Sequence, residues 1–238
     1  MKKILLGLCA LTLSSPAFAD GSTPLLGGDL TGNVALTTEY VFRGITQSNE
    51  EPTVQGGLDW SEASTGLYLG TWGSGVDFND ATTEFDFYGG VSGNIDGITW
   101  DLGAIYYFYP GADDSLNYDF WELAAAAGYD FDVMSASVSI NYSPDYFASS
   151  GDSYYAALNA EAPLPYDLKL TGSVAKQWIE DNTAFGVGKD YMDWSLGLGY
   201  SFEGFDVSLK YIDTNLDEPS ECADGCAERV VFTVSRSF

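Results

Sequence analysis

The sequence contains no histidine and only 9 lysine and arginine residues, against 35 aspartate and glutamate residues. Without histidine, Ser-His-Asp and Cys-His catalytic sites and histidine-containing zinc sites are impossible. A net charge of -26 repels phosphate backbones and argues against nucleic acid as a partner. Carboxylate chemistry is still available, because a pair such as Glu84 and Asp86 could act as a glycosidase acid and base. Such pairs are common on acidic strands, so we expect neither enzymatic activity nor a cofactor.

The chain also has few long runs of apolar residues. No segment after residue 19 has the roughly 18 consecutive apolar residues that a membrane helix needs. An apolar run, Ile4–Leu13, follows two lysines and precedes a small-x-small cleavage site for a signal peptidase at residues 17–19. This order predicts a signal peptide over residues 1–19, with residues 20–238 as one exported domain. The alternative is a buried N-terminal strand or helix.

In place of long apolar runs, the sequence has alternation. Apolar residues recur at every second position between clusters of Gly, Pro, Asn and Asp, as in the run from Met192 to Phe202. A period of two is typical of strands with one apolar face. Twelve strands are predicted, at residues 31–43, 53–61, 65–77, 82–94, 98–109, 118–130, 133–143, 153–162, 168–178, 190–202, 205–214 and 229–238.

The predicted connections alternate between long and short. The long ones are residues 44–52, 110–117, 143–152, 179–189 and 215–228, and the short ones are residues 62–64, 131–132, 163–167 and 203–204. Only the connection after the third strand departs from this order, because it is modest in length. In an up-and-down barrel with periplasmic termini, long connections face outwards and short ones face the periplasm. The order therefore predicts an all-β fold, a twelve-stranded antiparallel transmembrane β-barrel in the bacterial outer membrane.

Aromatic residues on the apolar faces support a barrel in lipid, because they cluster near strand ends, where membrane interfaces favour them. At the predicted periplasmic ends they are Trp60, Trp100, Phe202, Phe205 and Phe238. At the outer ends they are Tyr40, Phe42, Phe108, Trp121, Tyr142, Tyr154, Trp178 and Tyr211. Two bases on these faces, Lys176 and Arg236, lie near strand ends, where long side chains can reach water. The alternative is a secreted sandwich or lectin-like domain.

The last predicted strand ends the sequence on Phe238, with Val230, Phe232 and Val234 on the same face. A terminal phenylalanine on an amphipathic strand resembles the signal that outer-membrane barrels present to their assembly machinery. Arg236 occupies a position on this face that an apolar residue usually holds.

Several motifs resemble those of the TorF-type porins of Gram-negative bacteria. They are residues 38–48 (TEYVFRGITQS), Pro52, residues 55–60 (QGGLDW), 66–72 (GLYLGTW), 84–90 (EFDFYGG) and 107–110 (YFYP). They cover the N-terminal half, whereas the C-terminal half matches in strand pattern and length. The resemblance implies an outer-membrane barrel with a porin role, and it names no solute.

Alternation assigns many charged residues to the inside of the barrel. The acids are Glu39, Asp59, Glu84, Asp86, Asp101, Asp119, Glu122, Glu161, Asp193 and Asp206, and the bases are Arg43, Lys169, Lys210 and Arg229. Four bases cannot neutralise ten acids by pairing, and an isolated buried charge is very costly. Twelve strands also lie between the eight that side chains fill and the sixteen that leave an open channel.

We therefore expect a narrow, water-containing lumen that prefers cations, in a porin-like passive channel for small ions or solutes. One alternative is a charge network that plugs the barrel. The protein would then be a non-conducting barrel in outer-membrane lipid that binds or adheres through acidic loops. Loop pairs such as Glu50-Glu51, Asp113-Asp114 and Asp217-Glu218 could bind Ca²⁺ or Mg²⁺, but solvated loop charge is the simpler interpretation because no EF-hand spacing is present.

Cys222 and Cys226 lie four residues apart in the last long connection, with Gly225 between them. In an exported protein this spacing predicts a disulfide, because no further soft ligand is available for a metal site. A ring this small stabilises by only about 2 kcal/mol in the chain-entropy model. The bond is expected to hold a loop tip and not the barrel.

Overall fold

The fold was analysed in a computed structural model that describes residues 23–238. The strands are β1 (Thr23–Leu25), β2 (Gly28–Thr37), β3 (Val41–Phe42), β4 (Ile45–Thr46), β5 (Thr53–Glu62), β6 (Leu67–Phe78), β7 (Ala81–Ile95), β8 (Ile98–Phe108), β9 (Phe120–Asp130), β10 (Ser135–Ser143), β11 (Ser153–Pro163), β12 (Leu168–Ile179), β13 (Tyr191–Phe202), β14 (Phe205–Thr214) and β15 (Arg229–Ser237). One short α-helix, α1 (Asn182–Phe185), lies between β12 and β13, and two 3-10 helices, Asp114–Leu116 and Phe147–Ser149, lie in other connections. None of the helices in these residues is long and apolar enough to cross a membrane.

Twelve of the strands, β2 and β5 to β15, form one closed antiparallel barrel. Each strand pairs with its neighbours along the chain, and β2 closes the ring by pairing with both β5 and β15. The predicted fold is confirmed, and all twelve predicted strands are present. Eleven of them have ends within two residues of the prediction.

The closing seam between β15 and β2 runs from the pair Thr233–Thr37 to the pair Ser237–Asn33. The terminal Phe238 extends it, because its backbone N–H donates to Gly32 and its carbonyl accepts from the Gly32 N–H, at 2.9 and 2.8 Å. Strand β1 then pairs with the remainder of the same edge of β2. This edge of β2 therefore has backbone hydrogen-bond partners along its length, from Thr37 back to its first residues.

The two faces of the barrel differ as the alternation predicts. On β8, for example, Leu102 is 54% exposed on the outside while Asp101 is 2% exposed inside. Large apolar side chains are exposed outwards on all twelve barrel strands, with Val, Leu and Ile near the strand centres and aromatic rings near many ends. An outward apolar band on a closed sheet is typical of a barrel in lipid, because a lipid phase provides no partners for polar groups.

The two ends of the barrel differ in the length of their connections. One end has short turns, at residues 63–66, 96–97, 131–134, 164–167 and 203–204. The other has long connections, at residues 38–52, 109–119, 144–152, 180–190 and 215–228, and one two-residue turn at residues 79–80. We call the half of the lumen next to the long connections the upper lumen and the half next to the short turns the lower lumen.

The first predicted strand is too long. Strand β2 ends at Thr37 instead of residue 43, and residues 41–46 form a separate hairpin of β3 and β4 that folds into the upper lumen. Its turn residues, Arg43 and Gly44, both have positive φ angles, of 49° and 82°. A two-residue hairpin turn of this kind matches the twist of its strands, which explains why the chain reverses here.

This hairpin also corrects the prediction that Tyr40 and Phe42 belong to the outer aromatic girdle. Tyr40 is 4% exposed and packs against Trp72 inside the barrel, with ring centroids 5.3 Å apart. Phe42 packs against Tyr107, which is 1% exposed. Alternation alone placed them outside because it assumed that the strand continued.

Candidate functional site

The lumen holds nearly all of the charged residues that alternation assigned to it, but at two levels. The upper lumen contains Glu39, Arg43, Glu84, Asp86, Glu122, Asp193 and Arg229, and all of their side chains are buried or nearly so. The lower lumen contains Asp59, Asp101, Glu161, Lys169, Asp206 and Lys210, of which only Asp101 is fully buried. The charges are therefore dry at one level and mostly wetted at the other.

One assignment is wrong. Asp119 is exposed, and it accepts a hydrogen bond from the outward-facing Tyr106 hydroxyl at 3.1 Å. It precedes Trp121 by two residues, so the two share the outer face. Nine acids, not ten, are left facing the lumen.

Arg43 lies at the tip of the β3–β4 hairpin and not on the barrel wall. Its guanidinium donates to Glu122 on β9 at 2.7 Å and to Gln177 on β12 at 3.0 Å. Neither strand is a neighbour of β2, from which the hairpin departs. The hairpin therefore crosses the upper lumen to the opposite wall.

Aromatic rings enclose this guanidinium. Its carbon lies 4.3 Å from the ring centre of Tyr155, 4.7 Å from that of Phe42 and 5.7 Å from that of Tyr146. Cations over the faces of aromatic rings are stabilised, more so when desolvated. One carboxylate and three aromatic rings thus offset the free-energy cost of burying this guanidinium.

Gly44 explains how closely the hairpin approaches the wall formed by β13 and β14. A Cβ atom at this position would lie 2.5 Å from Thr214 Cγ2 and 2.8 Å from Asp193 Cβ. Its φ of 82° is also unfavourable for residues with a side chain. Glycine is therefore required by both space and conformation.

Four acids of the upper lumen have hydrogen-bond or ion-pair partners. Glu122 Oε2 accepts further hydrogen bonds from Tyr107 and Asn141, at 3.2 and 3.1 Å. Glu39 pairs with Arg229, whose guanidinium also lies 3.8 Å from Glu50.

Asp193 accepts from the Tyr155 hydroxyl at 3.2 Å, and Glu84 accepts from the Tyr40 hydroxyl at 2.8 Å. Glu84 and Asp86 are 1% and 0% exposed, so neither is accessible to a sugar as glycosidase chemistry would need.

The lower lumen has simpler pairs near the short turns. The Tyr68 hydroxyl donates to Asp101 at 2.8 Å, and the Tyr88 hydroxyl donates to Asp59 at 2.6 Å. Lys169 lies 3.1 Å from Glu161, with side chains 44% and 39% exposed. Asp206 accepts from Ser201. Lys210 has no ion-pair partner within residues 23–238.

Aromatic side chains of the long connections pack together with Phe78, at the end of β6. Phe147 contacts Phe78, Tyr109 and Tyr118, and the stacked pair Phe147–Tyr118 has ring centres 4.5 Å apart. Phe185 of helix α1 joins the same group. The connections therefore add an aromatic layer at this end of the barrel.

Cys222 and Cys226 form the predicted disulfide, with Cα atoms 6.5 Å apart. The loop that it closes contacts the hairpin, because the Thr46 N–H donates to the Gly225 carbonyl at 2.9 Å. Glu218 lies close to both sulfur atoms. Sulfur atoms that are bonded to each other are not thiolate ligands, so this group does not form a metal site.

Glu221, in the same long connection, pairs with Lys189 at 2.6 Å. The hydrogen bond from Lys189 holds the pKa of this carboxyl below its ordinary value. This contact joins two long connections on the outside of the barrel.

Charge-based reasoning missed the uncharged members of the site. Gln177 is 0% exposed and binds Arg43, and Trp72 lies inside although the other five tryptophans are on outward-facing strand positions. Both residues occupy positions that face the lumen in the period-two alternation of their strands, so the alternation could have identified them. No sequence signal indicated that Tyr146, in a connection, would reach Arg43.

Comparisons with known proteins agree with this architecture. The NanC porin has a TM-score of 0.56 and 10% identity, over 88% of this chain and 98% of its own. An outer membrane channel from Pseudomonas putida F1 has a TM-score of 0.50 and 11% identity, over 92% of this chain and 98% of its own. No curated protein matches the chain in sequence. At these identities the likeness is one of fold.

A family model described as "bacterial protein of unknown function" matches residues 20–238. A closed antiparallel barrel with an apolar exterior, in a bacterial family, is a protein of the bacterial outer membrane. Since the match extends over nearly the whole chain, the protein belongs to this bacterial family, Gcw_chp.

Proposed function

We propose that the protein is a porin-like passive channel for small solutes and that cations cross it in preference to anions. The observation that carries this proposal is the division of the lumen into a wetted lower half and an upper half crossed by a hairpin. A barrel that only anchored surface loops would need no wetted, charged lower lumen.

The charge of the lower lumen supports the preference for cations. Four acids, Asp59, Asp101, Glu161 and Asp206, face the lumen there with two lysines. One lysine is paired with Glu161, and the hydroxyls that bind Asp59 and Asp101 carry no charge. A negative surface in a narrow, low-dielectric cleft concentrates cations and repels anions until salt screens it.

The β3–β4 hairpin is proposed to be the gate. In the structure it fills the upper lumen, so passage requires it to move. Side-chain hydrogen bonds and ring contacts hold its tip, and its backbone is tied at Thr46 to Gly225. Such contacts break without unfolding the barrel, whose own ladder does not include the hairpin.

One observation favours a second candidate, a non-conducting barrel that binds through its acidic loops. The side chains of the upper lumen are almost completely inaccessible to water, which suits a permanent plug. The two candidates differ in whether the hairpin leaves the lumen.

Several finer predictions belong to this proposal. They are membership of the TorF-type porins, contact with outer-membrane lipid and delivery by barrel assembly machinery through the strand that ends at Phe238. The predicted signal peptide, residues 1–19, lies outside the described residues and remains a prediction.

Single-channel recording in a planar bilayer tests the proposal. Folded protein should give discrete current steps, and the reversal potential in a KCl gradient should show K⁺ preferred to Cl⁻, most clearly at low salt. The double variant Asp59→Asn with Asp101→Asn should lower this preference. The matched double variant Asp113→Asn with Asp114→Asn, in a long connection, should leave it nearly unchanged.

The Arg43→Ala variant separates the two candidates. Loss of the guanidinium removes the contacts to Glu122 and Gln177, so a gate should spend more time open. Folded wild-type and Arg43→Ala proteins that both fail to conduct would establish the plugged barrel. Conduction without cation preference would refute the lower-lumen argument alone.

A further inference from the structure

Asp86 differs from every other acid that faces the lumen within residues 23–238. It is 0% exposed, and no protein donor reaches either of its carboxylate oxygens. Each of the other lumen-facing acids accepts a hydrogen bond or forms an ion pair. An ionised carboxylate buried without compensation is very costly, so this side chain needs a partner that the protein does not supply.

The charges around Asp86 make this need larger. Glu84 and Glu122 both act on it electrostatically and repel its negative charge. Arg43 is the cation that contacts this group, through Glu122. When all three carboxylates are ionised, they and the one guanidinium leave two negative charges, and buried charges must be compensated locally.

The geometry suits a hard cation. Glu84 and Asp86 are two residues apart on β7, so both side chains point into the lumen. The Tyr40 and Tyr109 hydroxyls both hydrogen-bond Glu84, whereas no protein donor reaches either oxygen of Asp86. Carboxylate oxygens are the preferred ligands of Ca²⁺, which also accepts water molecules to complete its coordination.

Aromatic residues border this position on both sides. Asp86 pairs across the sheet with Trp72 on β6 and with Tyr107 on β8. The Trp72 indole N–H also has no acceptor in the described part of the chain. A water molecule between the indole and Asp86 would satisfy both groups, but it would leave the two negative charges in place.

We propose that Glu84 and Asp86 bind a divalent cation of the calcium class inside the upper lumen. The site does not depend on an open channel, because a cation can be enclosed while the barrel folds. Its test therefore gives an answer whether or not the protein conducts.

Trp72 provides the measurement. It is the lumen-facing tryptophan of six, and it lies beside Asp86. The protein is refolded with Tb³⁺, a luminescent substitute for Ca²⁺, and tryptophan is excited. Indole transfers energy to Tb³⁺ at short range, so terbium emission is expected from the wild type and is expected to fall when excess Ca²⁺ is present during refolding.

Three variants define the source of this emission. Trp72→Phe should remove most of the emission, while elemental analysis of this variant, refolded with Ca²⁺ and then dialysed, should still detect bound Ca²⁺. Asp86→Asn should weaken Ca²⁺ binding by at least about tenfold, since losing even an outer partner of a metal ligand costs roughly 10–100-fold. Asp101→Asn, a lumen acid that Tyr68 hydrogen-bonds, is the matched control and should bind normally.

Two results would overturn the proposal. One is wild-type emission no stronger than that of Trp72→Phe, which would place Tb³⁺ at the loop acids. The other is equal Ca²⁺ affinity in Asp86→Asn and wild type, which would leave Asp86 with a proton or a water molecule as its partner. If Asp86→Asn does not fold, the comparison of wild type with Trp72→Phe decides.

Discussion

The upper and lower lumen are built from the same strands with the same alternation, yet they are different environments. In the upper lumen, Arg43 and Glu122 form an ion pair with both side chains 1% exposed. In the lower lumen, Lys169 and Glu161 form an ion pair with side chains about as accessible as many surface residues. The difference comes from the β3–β4 hairpin and the connections above it, which exclude water from one half only.

The largest expected effect comes from breaking the two ion pairs in turn. Glu122→Gln leaves Arg43 buried without its counter-charge, which typically destabilises by about 3–5 kcal/mol. Glu161→Gln breaks the wetted pair, where the expected loss is about 0–1 kcal/mol. Unfolding in urea, followed by the shift in gel mobility of unheated protein, measures both. Equal losses would show that the two halves do not differ in dielectric environment.

The disulfide tests whether the connections brace the upper lumen separately from the barrel. Changing Cys222 and Cys226 together to serine should cost about 2 kcal/mol by the chain-entropy model, confined to the last connection. The barrel should still form, as judged by heat-modified gel mobility. Complete loss of the barrel in this double variant would contradict the separation of the two parts.

Chemical labelling compares water access in the two halves directly. In a background without native cysteines, Ser143→Cys lies in the upper lumen at 0% exposure, and Ser208→Cys lies at a half-buried lumen position of β14. A charged thiol reagent should modify Ser208→Cys at least about tenfold faster, because a fully buried site reacts only through local opening. If the hairpin is a gate, adding Arg43→Ala should reduce the difference between the labelling rates of the two cysteine variants.

The smallest effect concerns the pair Lys189–Glu221, outside the barrel wall. Because the pKa of Glu221 is lowered in the folded protein, the contact stabilises above the carboxyl's ordinary pKa and is lost as pH falls through the lowered value. An NMR titration of the Glu221 carboxyl should show the low pKa, and Lys189→Met should return it towards normal. An unchanged pKa in the variant would assign the shift to backbone hydrogen bonds.

Much of the barrel could be predicted because strand alternation is a local property. The run Met192 to Phe202 alternates, and in the structure it forms β13 with the predicted face outwards. Turn residues such as Glu203-Gly204, both with positive φ, also act locally. The disulfide followed from spacing and from the expected export of the chain.

Alternation could not predict where a strand stops. Residues 38–43 continue the period of two, so Tyr40 and Phe42 were assigned to lipid and Arg43 to the wall. The chain instead turns at Arg43-Gly44. The guanidinium there contacts Glu122 and Gln177, which are far away in sequence, and three aromatic rings. The prediction for Asp119 was wrong because this residue has the same place in the alternation as the outward-facing Trp121, two residues later, and therefore belongs to the outer face.

The sequence by itself determined a twelve-stranded barrel with an apolar exterior, a charged interior and unequal ends, because the two faces of a strand are set by neighbouring residues. Only the tertiary structure decided which interior charges are dry. Whether Asp86 is buried and Asp206 wetted depends on a hairpin and on loops that pack across the barrel, and such long-range contacts leave no periodic signal in the chain.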